Sequence, residues 1–123
     1  MSYKDLDIYS LALELFFVVH PLSLKLPKHE LYELGSQIRR SADSVVTNIV
    51  EGYGRRRYKA EYIRFLVFSH ASTDETILHI SIIKQLYPQF SEEYCYLETN
   101  YNILGAKINK YIDYVIKNWK SDF

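Results

Sequence analysis

Basic side chains are concentrated in the middle of the chain, where their number and spacing suit the binding of phosphate groups. Residues 39–64 hold seven basic and three acidic side chains, a local charge of +4 in a chain whose net charge is zero. Guanidinium groups bind phosphate oxygens through paired N–H donors, and the counterions that they displace add affinity that does not depend on base sequence. This region is therefore a candidate nucleic-acid-binding face, made of Arg39, Arg40, Arg55, Arg56, Arg57, Lys59 and Arg64.

The same cations also allow a structural interpretation. Arg39 or Arg40 can form ion pairs with Glu51 or Glu61, and for these two arginines we favour a structural or subunit-contact role. Arg55–Arg57 come just before a predicted helix, and for them we favour an exposed position at which phosphate contact is one use. Two functions of different classes stay open: binding of nucleic acid or a nucleoprotein, and a protein–protein scaffold whose arginines serve subunit contacts.

Asn48 and Glu51 lie among apolar residues just before Gly52 and Gly54. Buried polar groups need hydrogen-bonding partners. We therefore expect Asn48 and Glu51 to tie the end of this helix to the following turn or to an arginine, within or between subunits. Gly52 and Gly54 are expected to end the helix, since glycine is favoured just beyond the last helical turn. A catalytic role for Glu51 needs a second group that the motif does not contain.

Histidine and carboxylate residues on the third predicted helix raise the question of a metal site. His70 and Asp74, and likewise Glu75 and His79, are four residues apart and so share a helix face. A metal would need further ligands from other helices, so we interpret these residues as a polar helix face. The sequence also lacks a nucleophile elbow, a Walker loop and a dinucleotide-binding glycine pattern. It predicts a protein without catalytic activity, cofactor, metal or small-molecule substrate.

Composition limits the class of protein further. With 123 residues, of which 48% are apolar, the chain is expected to form one domain over residues 1–123. Its single cysteine, Cys95, excludes an internal disulfide framework and is expected in the core or in a helix seam. No apolar run approaches the roughly 18 residues that a membrane span needs, and the start of the chain lacks the pattern of a secretory signal. We therefore expect a cytoplasmic protein with no membrane partner.

Apolar residues recur at helical spacing in four segments, which must position these side chains. The first segment begins at Leu6, and Pro21 is expected to kink or end its helix near His20. The second segment is expected to begin near residues 27–30 and to end at residues 52–54. This second helix therefore carries Arg39 and Arg40 near its middle and Asn48, Glu51 and the two glycines near its end.

The third segment runs from about residue 58 to Leu86, and small polar residues in its middle allow a neighbouring helix to come close. The fourth keeps a heptad-like spacing of apolar residues over residues 91–120, with Ser91 as its expected N-cap. Short connections between the helices favour antiparallel neighbours. The sequence thus predicts an all-α protein, an up-down-up-down antiparallel four-helix bundle.

The C-terminal part of the chain is aromatic. Trp119 lies close in sequence to Tyr111, Tyr114 and Phe123. Rings of this size bury much apolar surface, so they could cap the core of the bundle or fill a contact between subunits. The sequence leaves both roles open.

Two central motifs and two further segments carry a family resemblance. They are Gln37–Ala42 (QIRRSA), Asn48–Arg55 (NIVEGYGR), Tyr3–Tyr9 (YKDLDIY) and Tyr62–Leu66 (YIRFL). Together they resemble the family of four-helix bundle proteins encoded by intervening sequences of bacterial 23S ribosomal RNA genes, which also includes accessory proteins of diversity-generating retroelements. The resemblance covers most of the chain and implies the same four-helix fold.

The resemblance also implies an assembly and a function. The family forms barrel-like homopentamers, which implies a homo-oligomer here, and its nucleic-acid-binding role is supported chiefly for the retroelement branch. The chain departs from the family pattern at Val46, where proline is frequent, at His70, where arginine is frequent, and at Ala71, where glycine is frequent. The missing arginine reduces the basic surface that the resemblance implies.

Overall fold

The structure, a computed structural model, describes residues 1–121, which form four α-helices joined by short turns and contain no β-strand. The helices are α1 (Asp7–Ser23), α2 (Leu34–Gly54), α3 (Lys59–Leu86) and α4 (Ser91–Asn118). Single 3-10 turns precede α1, α2 and α4, at Tyr3–Asp5, Lys28–Glu30 and Pro88–Phe90. The predicted all-α fold is confirmed.

Small polar residues line the contact between α2 and α3. Ser69 Oγ donates to the Val45 carbonyl oxygen at 2.7 Å, and Thr76 Oγ1 donates to Ser41 Oγ at 2.8 Å. Because the later residue of α2 contacts the earlier residue of α3, the two helices are antiparallel. The four residues are buried, so these hydrogen bonds give the buried hydroxyl groups partners, and the short side chains let the helices approach closely.

α4 closes the bundle by packing against both α3 and α1. Lys84, late in α3, pairs with Glu98, early in α4, at 3.0 Å, and Lys107 of α4 pairs with Asp7 at the start of α1 at 2.6 Å. These contacts place α4 beside both neighbouring helices, as in a four-helix bundle. The fully buried residues of α4 follow the heptad-like spacing: Tyr94, Leu97, Tyr101, Leu104, Ile108 and Val115.

Cys95 is exposed, so the prediction of a core or seam thiol is wrong.

α1 passes through Pro21 and ends at Ser23 rather than near His20. Proline removes one backbone donor, but so close to the end of a helix that loss weakens only the final turn. Ser23 Oγ donates to the His20 carbonyl oxygen at 2.8 Å and supplies a partner in that turn. The apolar side of the helix therefore continues to Leu22, which is buried.

α2 begins at Leu34, later than the predicted start at residues 27–30. The reason is a 3-10 turn over Lys28–Glu30 that buries the side chain of Glu30. The Glu30 carboxylate accepts hydrogen bonds from the Leu34 N–H at 3.4 Å and from the Tyr87 hydroxyl at 2.5 Å. This carboxylate thus serves a free N–H group at the start of α2.

α2 ends at Gly54 and α4 begins at Ser91, as predicted. The hydrogen bonds and backbone conformations at these two helix ends differ from the predicted ones. No glycine in residues 1–121 has a positive φ, so Gly52 and Gly54 do not end α2 through a left-handed residue. Instead, the Arg55 N–H donates to the Gly52 carbonyl oxygen at 2.9 Å. Phe90, and not Ser91, is the N-cap of α4, and its side chain makes no capping hydrogen bond.

Candidate nucleic-acid interface

The fold divides the seven predicted cations between two regions of the bundle. Arg39 and Arg40 lie early in α2, whereas Arg55 follows its last residue, so about 24 Å of helix separates Arg39 from Arg55 at 1.5 Å per residue. The other cations lie in the turn after α2 and in the first turns of α3: Arg56, Arg57, Lys59 and Arg64. The interface that the sequence predicts as one face is therefore two separate regions.

Arg39 is held inside the chain and Arg40 is not. The Arg39 guanidinium donates to Ser23 Oγ at 3.0 Å and to the Leu31 carbonyl oxygen at 2.7 Å, and so ties the end of α1 and the following turn to α2. Arg40 is exposed, and its side chain makes no hydrogen bond or ion pair within residues 1–121. Neither arginine pairs with the predicted glutamates in this part of the chain, because those glutamates lie toward the other end of the bundle.

Two guanidinium groups lie over phenylalanine rings beside the first turns of α3. The guanidinium carbon of Arg55 is 4.3 Å from the ring centre of Phe65, and that of Arg64 is 5.4 Å from the ring centre of Phe68. The two rings meet edge to face at 5.5 Å. We call these four residues the arginine–aromatic face. Arginine in this arrangement stacks through its plane and still donates hydrogen bonds at its edges.

A depression of about 400 Å³ lies at the same end of the bundle, where the turn after α2 meets the end of α4. We call it the end pocket, and its lining combines three cations with an indole ring and a glycine: Arg56, Arg57, Lys120, Trp119 and Gly54. Trp119 is fixed in place because its Nε1 donates to the Arg56 carbonyl oxygen at 2.8 Å. Its ring also meets the Tyr62 ring edge to face at 5.2 Å.

Several of these cations also serve helix ends, whose last carbonyl groups lack intrahelical partners and carry partial negative charge. The contacts join Arg55 to the Glu51 carbonyl oxygen at 3.0 Å, Arg56 to that of Tyr53 at 2.9 Å, and Lys59 Nζ to that of Ile116 at 2.6 Å. A guanidinium has five N–H donors, so Arg55 and Arg56 keep donors for a ligand. The Lys59 ammonium is instead committed to the end of α4.

Asn48 and Glu51 do not make the contacts that the sequence predicts. Asn48 Nδ2 donates to both the carbonyl oxygen and Oγ of Ser44 at 2.9 Å, and Ser44 Oγ lies 2.8 Å from Ser72 Oγ. Asn48 is therefore part of a hydrogen-bonded contact between α2 and α3. It does not connect the end of α2 to the following turn. The Glu51 side chain is exposed, and its contact with Arg55 is made by the backbone carbonyl group.

The histidine and carboxylate pairs of α3 are both formed. His70 Nδ1 lies 3.7 Å from an Asp74 carboxylate oxygen, and His79 Nε2 lies 3.2 Å from a Glu75 oxygen. Within residues 1–121, no group of three or more His, Cys, Asp or Glu side chains is arranged to hold a metal ion. These pairs are polar contacts along one helix.

Comparison with known families places the chain among its relatives. The family model described as 23S rRNA-intervening sequence protein matches residues 4–110. The chain belongs to this family. Comparison with curated proteins finds no match. None of the helices in residues 1–121 is long and apolar enough to cross a membrane. The matched range includes the arginine–aromatic face but not Trp119 and Lys120 of the end pocket.

Part of the candidate site in this 23S rRNA-intervening sequence protein is not predicted from the sequence. The phenylalanines of the arginine–aromatic face are absent from the predicted set of residues. Their spacing is a usable signal, because Phe65 and Phe68 are three residues apart and so are neighbours on one helix face. Arg64 lies four residues before Phe68 and reaches the same surface.

The indole of the end pocket is harder to find from the sequence. Trp119 and Arg56 are 63 residues apart, and no local pattern brings such residues together. The sequence leaves open whether Trp119 caps the bundle or fills a subunit contact. In the structure its ring packs on Tyr62 at the end of its own bundle, while Phe123 lies outside the described residues.

Proposed function

We propose that this protein binds nucleic acid, without catalysing a reaction, through the arginine–aromatic face and the end pocket. The observation that carries the proposal is the placement of three guanidinium groups over aromatic rings at one exposed end of the bundle. They are Arg55 over Phe65 at 4.3 Å, Arg56 over Tyr53 at 4.0 Å and Arg64 over Phe68 at 5.4 Å. A basic surface interleaved with aromatic rings suits sequence-tolerant binding of phosphates and bases.

The charge distribution supports the same function and limits its strength. The positive region is local and the chain as a whole is neutral, so one copy offers few phosphate contacts. Each phosphate contact releases counterions, and affinity is therefore expected to fall as salt rises. Several copies in one assembly would multiply the contacts through avidity. A nucleoprotein that exposes phosphate groups is a ligand of the same kind.

The proposal is tested by fluorescence anisotropy of labelled RNA and DNA at two salt concentrations. The variant Arg55/Arg56/Arg57→Ala is expected to lower the affinity by about tenfold or more at low salt, since each lost phosphate contact removes counterion release. The dependence of affinity on salt should also become shallower. Identical weak binding by the wild type and this variant would reject the proposed face.

A matched control comes from the other end of the bundle. Lys25, Lys28 and Arg40 are exposed there, and Lys25/Lys28/Arg40→Ala removes the same amount of charge. This control is expected to keep most of the affinity. An equal loss in both variants would assign the binding to net charge rather than to the proposed face.

A second function, scaffolding within a homo-oligomer, is supported by an apolar stripe on the outer side of α4. Tyr96, Ile103 and Tyr114 are 50%, 45% and 50% exposed. Their spacing of seven and eleven residues places them on one side of the helix. Large exposed apolar side chains that share one side of a helix suit a contact with another copy of the chain. We propose a cytoplasmic homo-oligomer, a pentamer as the family resemblance implies, in which this stripe contacts another copy.

Light scattering distinguishes the two uses of the arginines. Tyr96/Ile103→Ser is expected to lower the mass in solution if the stripe joins subunits. Arg40→Ala tests the arginine contact that the scaffold function needs, because Arg39 already has partners within its own chain. A smaller assembly in Arg40→Ala would favour the scaffold, and an unchanged mass would favour nucleic-acid binding as the use of the exposed cations.

A further inference from the structure

Gly54 is a glycine that the fold does not require. It is the last residue of α2, its φ is not positive, and a Cβ built on it would meet nothing within 4 Å. Glycine in a helix costs about 1 kcal/mol relative to alanine. By contrast, a Cβ on Gly52 would lie 3.0 Å from Phe65 Cβ, so packing accounts for that glycine. Gly54 leaves open space beside the end pocket, which suits the close approach of a ligand backbone.

The walls of the end pocket offer two kinds of contact around this open space. Arg56 and Lys120 supply positive charge, and Trp119 supplies a flat ring that is partly exposed. The ring is held by a hydrogen bond from Nε1 and by the Tyr62 ring. A ring that is already fixed loses little conformational freedom when a second ring stacks on it. The pocket volume of about 400 Å³ lies within the range of small-ligand sites.

We propose that the end pocket binds an unpaired nucleotide of single-stranded RNA or DNA. The phosphate contacts Arg56 and Lys120, the sugar–phosphate backbone passes over Gly54, and the base stacks on Trp119. This inference rests on the proposed nucleic-acid binding and specifies its ligand. In a duplex both faces of each internal base are covered by its neighbours, so a duplex offers this pocket phosphates but no open base face.

The first test uses the natural fluorescence of the site. Trp119 is the only tryptophan of the chain, so its emission reports on the end pocket alone. A single-stranded oligonucleotide is expected to quench this emission with the same midpoint as its anisotropy change. A blunt-ended duplex of equal charge, in which every base is paired, is expected to bind about tenfold more weakly, since stacking of one base contributes about 1–3 kcal/mol, and to leave the emission unchanged.

The second test fills the pocket without changing its charge. Gly54→Leu places a side chain in open space, and we expect it to weaken single-strand binding about tenfold with little effect on the duplex. Ala71→Leu, at an exposed position in the middle of α3, is the control for an added apolar side chain. Lys120→Gln is an independent variant that removes one of the two phosphate contacts and leaves the indole in place, and it is expected to weaken binding of the single strand. Circular dichroism checks that each variant keeps its helices.

The outcomes separate this inference from the proposed function. Equal affinity for the single strand and the duplex, without quenching of Trp119, would overturn the inference and leave the proposed function intact. Undiminished single-strand binding by folded Gly54→Leu would also overturn it. Absence of salt-dependent binding to either form by the wild type would overturn the proposed function, and the inference with it.

Discussion

Trp119 Nε1 donates a 2.8 Å hydrogen bond to the Arg56 carbonyl oxygen, and this bond joins the end of α4 to the turn between α2 and α3. A second contact holds the same region, because the Lys59 N–H donates to Ser121 Oγ at 3.0 Å. The backbone that carries Arg56 is thus fixed by residues from the far end of the chain. Docking of α4 therefore helps to set the position of Arg56 and the shape of the end pocket.

Trp119→Phe tests that dependence. The substitution keeps an aromatic ring but removes the N–H donor, which leaves the Arg56 carbonyl group without this partner. We expect the free energy of unfolding to fall by about 1–2 kcal/mol, from one net hydrogen bond and some lost apolar contact. Urea unfolding followed by circular dichroism measures it, with Tyr114→Phe at an exposed position as the control. An unchanged urea midpoint would show that the bond does not hold the turn.

The helices could be predicted because the residues on the buried face of a helix are apolar and recur at helical spacing. The buried stripe of α4, from Tyr94 to Val115, has the predicted spacing and is the core face of the helix. The effect of Pro21 was less predictable, because a proline matters little when the helix ends two residues later. Local patterns thus define which residues are inside, but they place helix ends only to within a turn or so.

The candidate site could be predicted only in part. Arg39 and Arg40 are adjacent residues of one type, yet one is tied to Ser23 and Leu31 and the other is exposed. Consecutive helix positions point about 100° apart, and the neighbour that each meets depends on the packing of distant segments. For the same reason, the position of Trp119 beside Arg56 could not be predicted from the sequence. The local charge in the sequence indicates the region of a site. Which of its cations are exposed depends on how the helices pack.

Gly52 and Gly54 are expected to respond oppositely to alanine. The new Cβ of Gly52→Ala would lie 3.0 Å from Phe65 Cβ, close to the backbone of α3, where little movement can relieve it. We expect a net loss of about 1–2 kcal/mol in the free energy of unfolding. Gly54→Ala meets no atom within 4 Å, and it should gain up to about 1 kcal/mol from better helix propensity. Thermal unfolding of the two variants side by side measures both effects, and changes of the same sign would contradict the packing argument.

Arg39→Ala and Arg40→Ala are expected to separate structural from exposed arginines. Removal of the Arg39 guanidinium takes a donor from Ser23 Oγ and one from the Leu31 carbonyl oxygen. We expect a loss of about 1–3 kcal/mol, as for hydrogen bonds made by charged groups. Arg40→Ala should change the free energy of unfolding by less than about 0.5 kcal/mol, as exposed substitutions do. Urea denaturation decides between these values, and equal effects would mean that the Arg39 contacts do not stabilise the junction of α1 and α2.

Tyr101 links stability to alkaline pH. It is fully buried, and within residues 1–121 its hydroxyl has no hydrogen-bonding partner. Burial raises the pKa of Tyr101 because the phenolate would lose its hydration, and burial likewise raises the pKa of Tyr94 to about 12. The unfolded chain releases these protons near pH 10, at about the ordinary tyrosine value, while the folded chain retains them. The contribution of these tyrosines to stability is therefore fully present below about pH 10, and it is lost as the pH rises further.

Tyr101→Phe isolates the part of the alkaline loss of stability that is due to Tyr101. At neutral pH we expect the free energy of unfolding to stay level or to rise by up to about 1 kcal/mol, since the substitution removes a buried hydroxyl without a partner. Above about pH 10 the variant should lose less stability than the wild type. Unfolding curves across a pH series measure this, with Tyr32→Phe, at a residue that is 86% exposed, as the control. A steeper alkaline loss in Tyr101→Phe would contradict the sign of the effect.

Arg55/Arg64→Lys asks whether the guanidinium planes matter beyond their charge. Lysine keeps both positive charges, but its ammonium is a point charge that cannot bind phosphate bidentately or lie flat over Phe65 and Phe68. We expect the affinity for single-stranded nucleic acid to fall about tenfold, while the dependence on salt stays close to that of the wild type because the number of neutralised phosphates is unchanged. Arg55/Arg64→Ala is the companion variant, and it should lose both affinity and salt dependence. Anisotropy over a salt series measures the two quantities separately, and wild-type affinity in the lysine variant would mean that charge alone accounts for binding at the arginine–aromatic face.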